Sequence, residues 1–317
     1  MQRRPFLALT AGMLAAPCCA ALASDRPIRL IVPVAPGGSQ DIVARLLARS
    51  LGPVLGVPVV VENLPGGGSN IGYEAGARAR PDGATLVAGS DSLSINKTLF
   101  PRLSFDPVED FAPVAQATSV PQILVTRGDF AAATLRDFVA LAGRTAVAVG
   151  TPGNGSLSHL LLEVAQEATG ARFTHVPYRG GALAVNDLLS GTLQGVMINI
   201  GAVADHVRSG RLRGLAVSGE ARTPALPAVP TLAEAGLAGI AATGWHGLVA
   251  PRGTDAAFIA RLNAGVSSVL REAEVAGRLA SLGIEPVDAP PEALGARIRS
   301  DAARWAAVIR RTAMVAG

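Results

Sequence analysis

Ile28-Arg29-Leu30-Ile31-Val32-Pro33-Val34-Ala35-Pro36-Gly37-Gly38-Ser39-Gln40-Asp41-Ile42-Val43 is the stretch on which the fold turns. Ile28 to Val34 is a near-continuous apolar run rich in β-branched residues, the pattern of a strand buried on both faces of a parallel sheet. Pro36-Gly37-Gly38-Ser39 breaks the run, and Ile42, Val43, Leu46 and Leu47 then fall at helical spacing. A strand, a glycine loop and a helix in that order make the first half of a βαβ unit.

The unit recurs outward along the chain. Strands are predicted over Val57–Val61, Thr85–Ala88, Thr145–Val149, Phe173–Val176, Val196–Ile200 and Leu212–Val217, with helical stretches between them. Leu157–Ala168 predicts an amphipathic helix stopped by Gly170, and Phe258–Leu270 and Pro291–Arg310 read as long surface helices. Two sets of such units predict an α/β protein of two lobes, each a mainly parallel sheet flanked by helices. The extended, weakly periodic segments Pro113–Val125 and Ala241–Pro251 are expected to carry the crossings and the hinge. The expected division is 1–23 as a signal peptide, 24–122 with 245–317 as one lobe, and 123–244 as the other.

The leader reading rests on Arg3 and Arg4, the uncharged stretch from Pro5 to Ala20, and the small-x-small pattern Ala21-Leu22-Ala23. Arg3-Arg4-Pro5-Phe6-Leu7 also resembles a twin-arginine export signal. Cleavage before Ser24 would leave a periplasmic chain with net charge +2 instead of +4 and would remove both cysteines, Cys18 and Cys19. The remainder has no thiol for a nucleophile, disulfide or metal. Its cations are arginines apart from Lys97, and they nearly balance the acids, which argues against nucleic acid as a partner.

Two loops share one grammar. Pro36-Gly37-Gly38-Ser39-Gln40-Asp41 and Thr151-Pro152-Gly153-Asn154-Gly155-Ser156 each follow a strand and open a helix. Glycine admits close backbone approach, and a helix N-terminus presents unpaired N–H groups with the positive end of the dipole. Such a turn seats a carboxylate or phosphate, and two facing turns can clamp a small anion as lobes close. Neither loop carries the lysine of a nucleotide-binding P-loop. Asp41 either complements the helix dipole or reads a ligand group. Ser90, Ser92, Tyr178, Arg179 and Asn199 follow strands and complete the candidate polar lining. Ser156 and His159 raise a hydrolase alternative, without the Gly-x-Ser-x-Gly elbow. His175, His206 and His246 lack metal-ligand spacing.

These residues give the chain its resemblance to the Bug/TctC family, the extracytoplasmic solute receptors of tripartite tricarboxylate transporters. The match runs from about Arg26 to the C-terminus. It is carried by Pro27–Pro33, Pro36–Ser39 with Asp41 and Ala44-Arg45, Val61-Glu62-Asn63, Pro81-Asp82-Gly83, Gly153–Gly155 with Ser158-His159, and Val176–Gly181. Leu226-Pro227, Val229–Gly236, and Trp245 before Gly247-Leu248 complete it. The resemblance implies a two-lobed periplasmic binding fold of type II kind and a small carboxylate ligand: a di- or tricarboxylate, an acidic amino acid or an aromatic acid. It also implies integral membrane transporter subunits as partners. No cofactor, metal or catalytic residue is expected, and the chain is expected to be a monomer. The ligand-binding set is Pro36, Gly37, Gly38, Ser39, Asp41, Ser90, Gly153, Asn154, Gly155, Ser156, Ser158, His159, Tyr178 and Asn199. Gln40, Asn199 and His246 depart from the family pattern. A component of a ligand-sensing system is a further alternative.

Overall fold

The computed structural model describes residues 26–315, so the expected leader, with Cys18 and Cys19, lies outside the described residues. The chain runs β1 (Ile28–Val32), α1 (Ser39–Leu55), β2 (Val59–Asn63), α2 (Asn70–Ala77), β3 (Thr85–Ser90), α3 (Ser92–Leu99) and β4 (Phe111–Arg127). It continues through α4 (Leu135–Ala142), β5 (Val147–Thr151), α5 (Leu157–Thr169), β6 (Phe173–Pro177), α6 (Gly181–Ser190), β7 (Gly195–Asn199), α7 (Ala204–Arg208) and β8 (Leu212–Val217). It ends with β9 (Thr243–Pro251), α8 (Ala256–Leu270), α9 (Ala273–Ser281), β10 (Glu285–Pro286) and α10 (Pro291–Thr312).

The sheet order is β2-β1-β3-β9-β4-β7-β5-β6, with β8 and β10 also on β4. β1 lies parallel to β2 and β3, and β5 lies parallel to β6 and β7. Between these parallel triplets the pairing is antiparallel: β9 with β3 and β4, and β4 with β7, β8 and β10. The sheets are therefore mixed rather than mainly parallel, because the chain crosses between halves on strands instead of helices.

β4 explains how one chain makes two halves. Phe111 to Pro121 pairs with β9, and from Gln122 onward the partners become β7 and β8. The switch falls at Pro121, which has no N–H to give a ladder. The next N–H, of Gln122, is taken by the Ser218 hydroxyl at 2.9 Å, and the Ser218 hydroxyl donates to the Ala242 carbonyl at 2.5 Å. One side chain thus stitches together the two strand segments that cross.

Each half buries apolar residues on both sheet faces. In the first, Leu30, Val32, Leu86 and Leu248 pack under Val43, Leu47 and Leu51 of α1, with Val266 and Val269 of α8. The opposite face holds Tyr73, Phe111 and Trp245 with Leu294 and Ile298 of α10. In the second half Phe138, Leu160 and Leu161 pack with Trp305, Val308 and Ile309, again from α10. This helix of 22 residues is about 33 Å long at the usual helical rise, and it spans both halves.

Candidate functional site

The parallel strands of both halves end toward the line where the halves meet, which is where open α/β sheets bind ligands. In the first half, the loop after β1 is held by Asp41, in the first turn of α1. Asp41 is only 2% exposed. Its carboxylate accepts the Gly37 N–H at 2.9 Å, Arg45 Nε at 2.9 Å and Asn63 Nδ2 at 2.8 Å. Asn63 also donates to the Val34 carbonyl at 2.9 Å. Burial pushes the Asp41 carboxyl up, but Arg45, the Gly37 N–H and Asn63 together outweigh it and hold the group below its ordinary range. Both carboxylate oxygens have donors, from the loop, α1 and β2, so Asp41 ties the loop to both elements.

Gly37 has φ +90, the left-handed region that favours glycine. Gly38 at the N-cap supplies no side chain to cap α1, which leaves the helix's leading N–H groups for another acceptor. Pro36, Gly37 and Gly38 are exposed. Ser39, half-buried, places its Oγ 3.3 Å from His246 Nε2. Gln40 is buried and donates to the Ala88 carbonyl at 2.8 Å, which pins α1 to the end of β3. Ser90 forms a triangle of hydroxyls with Ser92 at 2.8 Å and Tyr73 at 3.2 Å, closed by a Tyr73–Ser92 contact of 2.7 Å.

In the second half, Ser156 caps α5 by accepting the His159 N–H at 3.3 Å, and its hydroxyl donates to the Gly153 carbonyl at 2.8 Å. His159 Nδ1 accepts the Gly155 N–H at 3.1 Å. The ring of His159 stacks on His175 at 3.6 Å and 13°, and His175 Nε2 meets the Thr151 hydroxyl at 2.7 Å. Burial first, then the neighbouring His159, lowers His175 to about 4, so it stands neutral at ordinary pH. Ser156 and His159 each face loop backbone instead of one another, so they are not arranged as nucleophile and base.

Four predicted lining residues have other partners. Ser158 is buried and donates to Gln122 Oε1 at 2.7 Å, tying α5 to the crossover in β4. Asn154 donates to the Val315 carbonyl at 2.8 Å. Gly155 is buried against α3, where an added Cβ would meet Leu99 Cδ2 at 1.9 Å. The Tyr178 hydroxyl donates to Asp187 at 2.6 Å, and burial with that carboxylate raises it to about 12. Gly153 remains open, its nearest neighbour being the Tyr178 carbonyl at 3.6 Å. Asn199 lies opposite Gln122 in the β4–β7 register, and its Oδ1 is buried without a hydrogen-bond partner.

The structure adds residues that sequence reasoning passed over. Gln122 and Thr118 sit inside the apolar run of β4, where polar side chains were the only signal. Asp91, between Ser90 and Ser92, is pushed up to about 6 by burial, with Asp301 adding to the rise. A Cβ at Gly244 would come within 3.0 Å of Asp91 Oδ1 and 3.4 Å of Gln122 Nε2, which places both beside the crossing strands. Shallow depressions of about 560 Å³ along Ala48–Val59 and about 250 Å³ along Arg127–Gln194 lie away from the loops. Converging polar groups, not hollow volume, mark the candidate site.

A mixed sheet divided along β4, with a glycine loop leading into a helix in each half, defines a two-lobed binding protein of the periplasmic kind. Residues 43–314 match the family described as the tripartite tricarboxylate transporter family receptor. Protein BugT of Bordetella pertussis is 40% identical over 307 residues, covering 96% of this chain and 94% of that protein. Among solved structures, R. palustris Rpa4515 with adipate has TM-score 0.87 and 30% identity, covering 92% of this chain and 99% of that one. MatC from Rhodopseudomonas palustris, with bound malate, has TM-score 0.82 and 32% identity, covering 90% and 99%. The chain belongs to the tripartite tricarboxylate transporter receptor family, the solute-binding receptors also called Bug or TctC proteins.

Proposed function

We propose that this chain is a periplasmic receptor that closes its two halves on a small carboxylate and delivers it, as a monomer, to integral membrane subunits of a tripartite transporter. The observation that carries this reading is the pair of loops. Each is fixed by a side chain in the first turn of its helix that accepts a glycine N–H, and the start of α1, which has no side-chain cap, keeps backbone N–H groups for a ligand. Pro36 to Ser39 would seat a ligand carboxylate from one side and Gly153 to Ser156 from the other, with Ser90 and Asn199 nearby. The two solved relatives hold malate and adipate, both dicarboxylates, which favours an acid with two carboxylates. The chain supplies no nucleophile–base pair at Ser156 and His159, which favours binding over turnover.

The test is thermal unfolding of the purified protein against malate, adipate, citrate, aspartate and nicotinate, with product analysis of each mixture. A bound acid at a hundredfold excess over its Kd adds about 2.7 kcal/mol of stability, which reads as a clear rise in Tm. The expected result is a rise with at least one acid and no product. A product formed without a rise would replace the receptor reading with an enzyme.

A further inference from the structure

We propose that His246 is a positioning residue: it fixes the Ser39 hydroxyl as a hydrogen-bond donor aimed at the ligand's carboxylate. The proposal rests on the carboxylate-receptor reading above. Its geometry is a chain of three side chains from three elements. His246 lies in β9 directly between Ser90 of β3 and Thr118 of β4 in register, so the three side chains project to one face of the sheet. Thr118 is fully buried and His246 is 8% exposed.

The direction of the chain follows from donor and acceptor capacity. The Thr118 Oγ1 accepts the backbone N–H of His246 at 3.3 Å. The same oxygen lies 3.2 Å from His246 Nδ1. Thr118 is fully buried, and Nδ1 is the acceptor that the described residues place within reach of its hydroxyl proton, so on this proposal the threonine donates there and Nδ1 carries no proton. A neutral imidazole then carries its proton on Nε2, which faces Ser39 Oγ at 3.3 Å. Ser39 accepts that N–H and keeps its own O–H for another partner. Burial lowers His246 to about 4, so the ring stays neutral and the direction holds through ordinary pH. Ser39 begins α1 beside the exposed glycines 37 and 38, at the mouth of the loop. A hydroxyl held there as donor complements an acceptor-only group, which a carboxylate is.

Two measurements test this. The first reads the tautomer without any ligand: nitrogen-15 NMR of histidine-labelled protein should show the His246 ring protonated on Nε2 and bare on Nδ1. Thr118→Val, which removes the donor to Nδ1 at nearly constant volume, should weaken or abolish that preference. A ring protonated on Nδ1, or a preference untouched by Thr118→Val, overturns the proposal whatever the ligand proves to be. The second is a double-variant cycle with the acid giving the largest thermal shift. Ser39→Ala and His246→Phe should each weaken binding roughly tenfold, the scale of one hydrogen bond to a charged group. The double variant should lose no more than either single one, because both remove the same bond. Independent losses that multiply to roughly a hundredfold, or unaltered binding by a folded His246→Phe, overturn it as well. If no acid in the panel shifts the melt, the receptor reading fails while the tautomer measurement still decides this one.

Discussion

Gly155 gives the sharpest test of how the second loop is built. It has φ +73, and a Cβ there would fall 1.9 Å from Leu99 Cδ2. Gly155→Ala therefore carries two costs. The left-handed conformation costs about 1–2 kcal/mol in any residue with a Cβ. Forcing a methyl into a packed contact costs about 1–3 kcal/mol more. The sum is roughly 2–5 kcal/mol, and in a chain of this length each kcal/mol moves Tm by about 2–4 °C or somewhat less. Circular dichroism melts of the ligand-free protein should thus show a drop of roughly 4–20 °C. Leu99 is 3% exposed, so Leu99→Ala alone should cost about 2–5 kcal/mol through its cavity. In the double variant the new methyl meets empty space, so the combined loss should fall short of the sum by about 1–3 kcal/mol. Gly38→Val is the contrasting arm. Gly38 has an ordinary φ of −73, and its nearest neighbour to a Cβ is 4.0 Å away. This variant should melt like the parent yet bind carboxylate poorly, since the side chain fills the loop mouth. Strict additivity of the Gly155 and Leu99 variants would refute the packing argument. Normal binding by Gly38→Val would refute the assignment of the first loop.

Two further outcomes follow from the groups behind the loops. Asp41→Ala should cost about 2–3 kcal/mol in ligand-free melts, from lost bonds to Gly37 and Asn63 with the half-exposed Arg45 arm counting for little, and it should weaken binding by loosening the loop; an unchanged melt would mean the loop is held otherwise. Lowering pH from 7 toward 4.5 should reduce Tm: His175 and His246, lowered to about 4 in the fold, take up protons near 6.5 when unfolded, so the unfolded chain binds more protons in that window. Asp91, pushed up to about 6, and Asp301, raised by burial, work in the opposite direction, while carboxylates held low by their partners, Asp41 and Asp106 among them, add to the loss on the acid side. Tm measured against pH for a variant with both histidines changed to phenylalanine should show a shallower slope, and an unaltered slope would assign the effect elsewhere.

The residues that make strands announced themselves locally. Leu212–Val217 has the bounds expected of it, and β5 and β7 differ by a residue or two. β2 starts at Val59 instead of Val57; Val57 and Pro58 still belong to the turn leaving Gly56, whose φ is 75. Strand direction was not legible, because an apolar run reads the same whichever way its neighbour passes. The antiparallel pairing of β4 and β9 depends on where the chain returns after more than a hundred residues. The two loops were legible through their glycines and small polar residues. Their long-range partners were not: nothing near Gln122 in sequence foretells Ser158, and nothing near Thr118 foretells His246. Tyr178 shows the same limit at short range, since its phenol turns to Asp187 only because α6 folds back beside it.

The loops also share a plan that residue identity concealed. In each, the third residue of the helix reaches back four positions and accepts the N–H of a glycine with positive φ: Asp41 to Gly37, and His159 to Gly155. In each, the next strand of the βαβ unit supplies a brace for that side chain, Asn63 from β2 and His175 from β6. A carboxylate and an imidazole look unrelated in sequence, yet both offer a bare acceptor at the same place. They differ in how that acceptor is held. Asp41 keeps its acceptor because Arg45, Gly37 and Asn63 hold it ionised. His159 offers Nδ1 to the Gly155 N–H while its ring lies on His175 and its Nε2 stands 3.5 Å from Glu163. The first loop is thus held by a carboxylate ringed by three donors and the second by an imidazole stacked on a second ring, two chemistries serving one backbone geometry.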